Sequence, residues 1–478
     1  MSVVHVSEIT STVAQLCIDS CYFLDGGIRA CFKKSLETET NEMARRITNI
    51  LVENADIAAA ENVPICQDTG MTVVYADIGQ DVRIEGGNIG DAINAGVAEG
   101  YERGFLRKSV VSDPIARKNT GDNTPAVIHY EIVPGDALTL TVKPKGFGSE
   151  NMSRLKMLTP SAGLEGVEDF IVQTVAEGGS NPCPPLIVGV GVGGTFEKSA
   201  MLAKRALLRD LGTWNPDPAW AKVEKRVLER VNALDIGPAG MGGVMTAMGV
   251  FIEPFATHIA GLPVAVNIGC HVTRHASAVL GGSSAGVSTG RHEYAEPSAP
   301  AAGISGKKLE LPLSREDAAG LRAGEMVLLS GTIYTARDAA HKRLIEMMQN
   351  GEEPPVQLEG QIVYYAGPSP AKPGQVIGSA GPTTSGRMDK YSPFLIERGL
   401  RYMIGKGERS EEVRRCITEN GGVYFVAIGG AAAYIARSVK SAEVVAFDDL
   451  GTEAIRRLTV EDFPVIVSID TEGNVGAS

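Results

Sequence analysis

The stretch LIVGVGVGG, Leu186–Gly194, decides the expected fold class. Its apolar run is typical of a buried strand, and the segment after it, Glu197–Leu211, is typical of a helix. The stretch also satisfies G-x-G-x-x-G, the pattern of dinucleotide sites. Such a site needs a second strand that ends in an acidic residue, whereas Gly212–Val231 predicts a turn and another helix. We therefore interpret these glycines as allowing close strand–helix packing, or as a loop for an anionic ligand.

Segments on either side extend this prediction. The apolar spacing of Thr40–Asn62 predicts a helix, and Thr72–Gly79 predicts a strand. Apolar and polar residues alternate in Pro125–Gly148 around the turn residues Pro134–Asp136, which is typical of a β-hairpin. Strands joined both by hairpins and by helices indicate a mixed α/β fold.

Small residues and prolines dominate from Gly281 to Gly306, which predicts a linker. We expect an α/β N-terminal domain at residues 1–285, a linker at 286–302, and a smaller, strand-rich β/α domain at 303–478. Helices are expected in this second domain near residues 336–349, 410–420 and 431–437. A chain of 478 residues is long enough for more than one core.

The composition excludes several kinds of partner. A net charge of -12 argues against a nucleic-acid partner, which would require a broad basic surface. No apolar run reaches the ~20 residues of a membrane helix, and no secretory segment is recognisable. The 7 cysteines have irregular spacing that does not predict disulfides, so a reducing cytoplasm is the expected compartment.

Three cysteines lie in turn-rich stretches, each beside a strand-like run: Cys66 in PICQDTG, Cys183 in SNPCPP and Cys270 in NIGCHVTRH. Loops of this kind can hold thiolates toward an inorganic cluster. Spacing alone leaves open whether the three thiols act together. If they do, they would hold three corners of a [4Fe–4S] cube and leave one iron open as a Lewis acid, which favours chemistry over electron transfer.

The other thiols are interpreted differently. Cys17 and Cys21 share one helical face, and although they could join Cys31 in an iron–sulfur set, small apolar core residues are the better interpretation. The pair His271 and His275 has the spacing of a zinc site without its glutamate, so zinc is not expected.

Several polar residues are candidates for binding an anion. Arginine forks match carboxylates, and four cations lie in polar or glycine-rich stretches: Arg107, Arg337, Arg387 and Lys406. Surface solvation is the alternative for each of them. His258 stands in an apolar run and is either a core histidine or a catalytic group.

Seven stretches together resemble the class I fumarate hydratases, iron–sulfur hydro-lyases whose group includes L(+)-tartrate dehydratase and mesaconase. The stretches are PICQDTG, LRKSVVSDP, NTGDNTPAVIH, GSNPCPP, NIGCHVTRHA, SGTIYTARDAAHKR and GSAGPTTSGRMD. The resemblance covers nearly the whole chain. Residues 1 to about 285 are similar to the α part and about 303 to 478 to the β part, which other members make as separate subunits.

The resemblance implies a [4Fe–4S] cluster on Cys66, Cys183 and Cys270, a homodimer, and a cleft between the two domains that binds a small C4-dicarboxylate. It implies Thr383 as the catalytic base, with Asp68 and His258 as further catalytic residues; Asp68 could instead only orient Arg387 or the cluster loop. The implied substrate-binding residues are Gln67, Arg107, Gly146, Gly148, Arg337, Arg387 and Lys406.

The expected reaction is the hydration of fumarate to malate. L(+)-tartrate dehydratase or mesaconase activity is the alternative within the group. An iron–sulfur redox or sensor protein would not need the carboxylate-binding cations, and a nucleotide-dependent oxidoreductase would need the acidic strand end that is absent after the glycine pattern.

Overall fold

The structure, a computed structural model, describes residues 2–282 and 305–476. The predicted linker at 286–302 lies outside the described residues. A mixed α/β fold with a strand-rich C-terminal part is present, as predicted. No helix among the described residues combines the length and the apolar character that crossing a membrane requires.

The N-terminal part alternates helices with strands. Its strands are β1 (Ser2–His5), β2 (Met71–Gly79), β3 (Val82–Glu85), β4 (Val127–Val133), β5 (Leu138–Lys145), β6 (Arg154–Leu158), β7 (Leu186–Gly194), β8 (Ala247–Thr257), β9 (Leu262–Gly269) and β10 (Ala276–Leu280). Its helices are α1 (Val6–Tyr22), α2 (Gly26–Thr38), α3 (Glu42–Glu61), α4 (Ile89–Arg103), α5 (Phe147–Glu150), α6 (Gly163–Gly178), α7 (Phe196–Ala206) and α8 (Pro218–Asn232).

The C-terminal part is richer in strands. They are β11 (Lys307–Glu310), β12 (Met326–Thr335), β13 (Ile362–Tyr364), β14 (Tyr402–Gly405), β15 (Val423–Val426), β16 (Val439–Ala446) and β17 (Ile455–Ile469). The helices are α9 (Arg315–Ala319), α10 (Asp338–Gln349), α11 (Ser392–Ile396), α12 (Glu411–Glu419) and α13 (Ala432–Arg437). Helices α10, α12 and α13 confirm the three that the sequence predicts here.

The described N-terminal part contains two four-stranded sheets, in the orders β10-β5-β2-β4 and β6-β9-β7-β8, and a two-stranded parallel sheet of β1 and β3. The predicted β-hairpin is wrong in its pairing. Strands β4 and β5 form as expected, but β2 lies between them, parallel to β4 and antiparallel to β5. Strand β2 is buried along most of its length, so pairing on both sides satisfies its backbone groups.

The glycines of β7 serve close packing, which is one of the two interpretations offered from sequence. A Cβ atom at Gly189 would lie 2.2 Å from the carbonyl oxygen of Ala203, and one at Gly191 would lie 2.0 Å from that of Ser199. Both contacts are with helix α7, so only glycine permits this distance between strand and helix.

The C-terminal sheet closes on itself. Strands β12, β13, β14 and β15 are parallel neighbours, and the long β17 pairs antiparallel with both β15 and β12. One hydrophobic cluster joins this sheet to helix α3 and to Ile65 of the N-terminal part. The two halves therefore share a core, and the segment that carries Cys66 lies where they meet.

Candidate active site

The sheet topology brings two of the predicted cysteine ligands together. Cys183 precedes β7 and Cys270 follows β9; these strands are antiparallel neighbours that pair Ile187 with Gly269. Both thiols therefore lie at the same end of one sheet. Cys183 has a φ of 61°, a left-handed conformation that is unusual for a residue with a side chain and is often found at functional sites.

Cys66 lies in the loop between α3 and β2 and belongs to the same cluster of thiols. Burial, opposed by Arg274 and reinforced by the nearby Cys270, raises the pKa of Cys66 to about 12. Burial also raises the pKa of Cys183, and Cys270 again contributes. Since charges influence one another only at short range in this way, Cys270 lies near both of the other thiols.

Lys406 reaches this cluster from the C-terminal half. Its Nζ donates to Sγ of Cys183 at 2.8 Å and to the carbonyl oxygen of Asn181 at 3.2 Å. Burial lowers the pKa of this amine, but the cysteine thiols, Cys183 first, outweigh that effect and raise it above its usual value. A Cβ atom at Gly148 would lie 3.0 Å from the same Nζ. The lysine thus lies between a predicted ligand cysteine and the turn that contains Gly148.

Asp68 is held by both a side chain and the backbone. Its carboxylate accepts from Nη2 of Arg107 at 3.0 Å and from the backbone N–H of Phe147 at 3.0 Å. Burial raises the pKa of Asp68, but Arg107, Arg274 and Lys406 together bring it below the usual value. Asp68 is therefore ionised at neutral pH, and its bonds favour an orienting role toward Arg107, not Arg387.

Gln67, in the N-terminal half, contacts the segment of the C-terminal half that contains Thr383. The Gln67 Nε2 donates to the carbonyl oxygen of Pro382 at 3.3 Å, and Cys66 Sγ lies 3.4 Å from Gln67 Oε1. Thr383 is buried, and its backbone N–H donates to the carbonyl oxygen of Tyr365 at 2.6 Å. The predicted base therefore lies one residue from a group that touches the Cys66 loop.

The remaining arginines are held by carboxylates of the C-terminal half. Nη2 of Arg337 lies 2.5 Å from Glu453, and Arg387 makes two contacts with Asp338, at 3.0 and 2.8 Å. Arg107 reaches the same region, since its Nη1 donates to the carbonyl oxygen of Gly367 at 2.9 Å. A Cβ atom at Gly367 would lie 2.6 Å from Arg337 Nη1, so Arg107 and Arg337 are neighbours.

His258 is the one predicted site residue that lies apart from this group within the described chain. It follows β8, whose Thr257 pairs with Gly194 at the end of β7 opposite to Cys183. Its side chain is exposed, and Nδ1 accepts from the backbone N–H of Ala260 at 3.2 Å. The interpretation of His258 as a core histidine is therefore wrong, and its catalytic role stays a prediction.

Sequence reasoning missed four residues that support this region. Asn54 hydrogen-bonds across the two halves, Arg274 lies buried among the thiols, Glu453 holds Arg337, and Asp338 holds Arg387. Glu453 and Asp338 carried no local pattern, although Asp338 adjoins a predicted arginine. Their partners are distant in sequence, so only the fold identifies them.

The donor set fits an iron–sulfur cluster. In the ranges 2–282 and 305–476, no three histidine, cysteine, aspartate or glutamate side chains converge as ligands of one metal ion would. A cubane makes a different demand, because each cysteine binds a separate iron. A Cβ atom at Gly429 would lie 2.5 Å from Cys183 Sγ, so a bare backbone approaches a predicted ligand sulfur, and the buried Lys406 places a cation beside the thiols.

The matches to known protein families divide the chain into the same N-terminal and C-terminal parts. Residues 10–279 match the family described as Fumarate hydratase (Fumerase), and residues 291–475 match the one described as Fumarase C-terminus. Class I aerobic fumarate hydratase of Escherichia coli K12 is 33% identical over 460 residues, which is 92% of this chain and 83% of the relative. Fumarate hydratase 2 of Leishmania major is 32% identical over 462 residues, 92% of this chain and 80% of the relative.

One further relative matches only the first part. A Methanocaldococcus jannaschii protein provisionally named L(+)-tartrate dehydratase subunit alpha is 38% identical over 275 residues, which is 56% of this chain and 96% of that protein. The fold, the site and these matches define a hydro-lyase enzyme. The chain belongs to the fumarate hydratase family, and its Escherichia coli relative above is a class I member, a group for which an iron–sulfur cluster is implied.

Proposed function

We propose that this chain catalyses the reversible hydration of fumarate to (S)-malate. The observation that carries the proposal is the convergence, between the two halves, of three cysteine thiols with a set of buried or half-buried cations. A small dicarboxylate is a dianion, so each of its two carboxylates needs a cationic partner. Arg107 belongs to the N-terminal half, whereas Arg337, Arg387 and Lys406 belong to the C-terminal half.

We infer that Cys66, Cys183 and Cys270 hold a [4Fe–4S] cluster, which when bound supplies one open iron as a Lewis acid for the departing hydroxyl group. Lys406 contacts Cys183 and points from there toward the glycine turn at Gly146 and Gly148. It is therefore suited to hold a substrate carboxylate beside the ligand cysteine.

Thr383 is the proposed base. A threonine hydroxyl is a weak acid, so this role requires neighbouring cations that favour the alkoxide. The bridge between Thr384 and Lys406, and the contact of Gln67 with Pro382, support such a setting. Gln67 fixes the turn, and the ionised Asp68 orients Arg107 toward the substrate.

Substrate preference is tested by comparing fumarate, tartrate and mesaconate under anaerobic conditions. We expect the highest kcat/KM with fumarate. The tartrate alternative is favoured by the match to the Methanocaldococcus jannaschii protein, and a clear preference for tartrate would replace the present proposal.

The cluster is tested independently of turnover. Protein isolated anaerobically should be brown and contain about four irons per chain, and its activity should fade in air and return with ferrous iron and thiol. Colourless protein that remains active would refute the cluster.

We further propose a cytoplasmic homodimer. All 7 cysteines of the sequence are free thiols, as expected in a reducing compartment.

Near His258, large apolar side chains are exposed: Phe255 by 53% and Ile259 by 92%. An apolar face of this kind is suited to a second copy, which would place His258 of each chain at the interface.

A further inference from the structure

Arg274 is a buried cation with an unusual set of neighbours. It lies four residues after Cys270, between β9 and β10, and only 4% of the residue is exposed. A guanidinium cannot be neutralised at ordinary pH, so its burial is costly unless an anion compensates the charge.

Its hydrogen bonds connect two cysteine loops. Nη2 donates to the backbone carbonyl oxygen of Asp68 at 2.5 Å, within the Cys66 loop, and Nη1 donates to that of Val272 at 3.4 Å. The Nε atom is buried without a partner. Arg274 therefore fixes the Cys66 loop relative to the Cys270 loop, while its charge is left without a full complement of bonds.

The groups around the guanidinium are mostly thiols. Burial lowers the pKa of Arg274, but Cys21, Cys66 and Cys270, followed by Asp68, together raise it above the usual value. The Asp68 carboxylate is itself paired with Arg107. Within the part of the chain that the structure describes, no carboxylate forms an ion pair with Arg274. Two of the thiols beside it, Cys66 and Cys270, are predicted ligands, and the third, Cys21, is not.

We propose that Arg274 is a positioning and charge-balancing residue for the iron–sulfur cluster, held between the loops of Cys66 and Cys270. This inference rests on the proposed function. Without iron, Arg274 is a poorly compensated buried charge; with iron, it faces thiolates and stabilises the loaded protein. A merely structural arginine would stabilise both forms equally.

The test measures the coupling between Arg274 and iron. Apparent Tm at one scan rate is recorded anaerobically for iron-free and loaded protein, for the wild type, Arg274→Met and Arg274→Lys. Arg154→Met is the control, because 44% of the Arg154 side chain is exposed, outside this site. We expect the rise in Tm on loading to be smaller by roughly 2 °C or more in Arg274→Met, and unchanged in the control.

The reduction potential of the loaded cluster is the second readout. A nearby positive charge favours the reduced cluster, so Arg274→Met should make the potential more negative, with Arg274→Lys between it and the wild type. If Arg274→Met does not fold, Arg274→Lys decides: a wild-type rise in Tm supports charge balancing, and a lost rise overturns it.

Failure of the proposed function can be distinguished from failure of the proposed role of Arg274. Wild-type protein that takes up no iron would refute the proposed function, and this inference with it. Wild-type protein with about four irons per chain, beside Arg274 variants that keep the same Tm rise and potential, would overturn only the role of Arg274.

Discussion

At the scale of single residues, two glycines allow the halves to meet around the thiols. A Cβ atom at Gly381 would lie 2.1 Å from Oε1 of Gln67, and one at Gly429 would lie 2.5 Å from Sγ of Cys183. Neither glycine has a positive φ, so the requirement is for space and not for an unusual backbone conformation. A side chain at either position would displace a predicted ligand or substrate-binding group.

Replacing Gly429 with alanine should impair iron binding. The added methyl group would push Cys183 Sγ away from its contact with Lys406, and we expect iron affinity to fall roughly tenfold or more. Iron per chain after anaerobic loading is the measurement. Gly320→Ala is the control, since its nearest contact would be an ordinary 3.4 Å. Equal iron in both variants would contradict the predicted ligand role of Cys183.

Replacing Arg387 with lysine should lower kcat/KM by about ten- to a hundredfold. Arg387 makes two contacts with Asp338, an arrangement that a single ammonium cannot reproduce, so the cation would lose its orientation toward a carboxylate. Steady-state kinetics with fumarate measure the effect. Arg398→Lys is a matched control because both side chains are 43% exposed. Normal kinetics would remove Arg387 from the site.

Local sequence singles out three cysteines as candidate ligands but does not identify the residues that support their loops. Turn-forming residues surround Cys66, Cys183 and Cys270, and they predict loops without information from the rest of the chain. Arg274 lies in one of these cysteine stretches and Asn54 in a predicted helix, but the partners that give them a role are as far as 206 and 380 residues away. No local pattern encodes such contacts.

At the scale of elements, the buried side chain of Asn54 ties helix α3 to the C-terminal half. Asn54 is 1% exposed; its Nδ2 donates to the carbonyl oxygens of Ile65 at 3.1 Å and Gly430 at 2.9 Å, and its Oδ1 accepts from the N–H of Tyr434 at 2.9 Å. Ile65 adjoins Cys66 and Gly430 adjoins Gly429. The helix thus sets how the cysteine loop faces the opposite half.

Replacing Asn54 with leucine should cost roughly 3 kcal/mol or more in free energy of unfolding, because three buried backbone groups lose their partner. Urea unfolding monitored by fluorescence measures this loss. Asn350→Leu, at the exposed end of α10, should stay within about 0.5 kcal/mol of the wild type. A neutral Asn54→Leu variant would mean that the two halves are held together elsewhere.

Element types were predicted more successfully than element partners. Alternation identified β4 and β5 as strands, and apolar periodicity identified α3. Alternation cannot tell which strand is the neighbour, because β2 enters between β4 and β5 from an earlier part of the chain. The same limit applies to β7 and β9, whose pairing brings Cys183 and Cys270 together.

At the scale of the whole molecule, the exposed apolar face predicts the assembly. We expect a mass of twice the 50.3 kDa chain in light scattering, and a monomer for Ile259→Asp, because a buried carboxylate would oppose association. Ile115→Asp is the control, since Ile115 is similarly exposed at 89%. A monomeric wild type, or an Ile259→Asp dimer, would refute this interface.

The reach of Lys406 from one half to a cysteine sulfur of the other has an evolutionary consequence. Mutations on one side of that boundary are acceptable only when the opposing surface tolerates them, so the two portions are expected to have diversified in concert. A chimera that joins the first portion of one homologue to the second portion of another should therefore fold readily yet assemble its metal centre poorly, unless the residues facing each other are exchanged as a set.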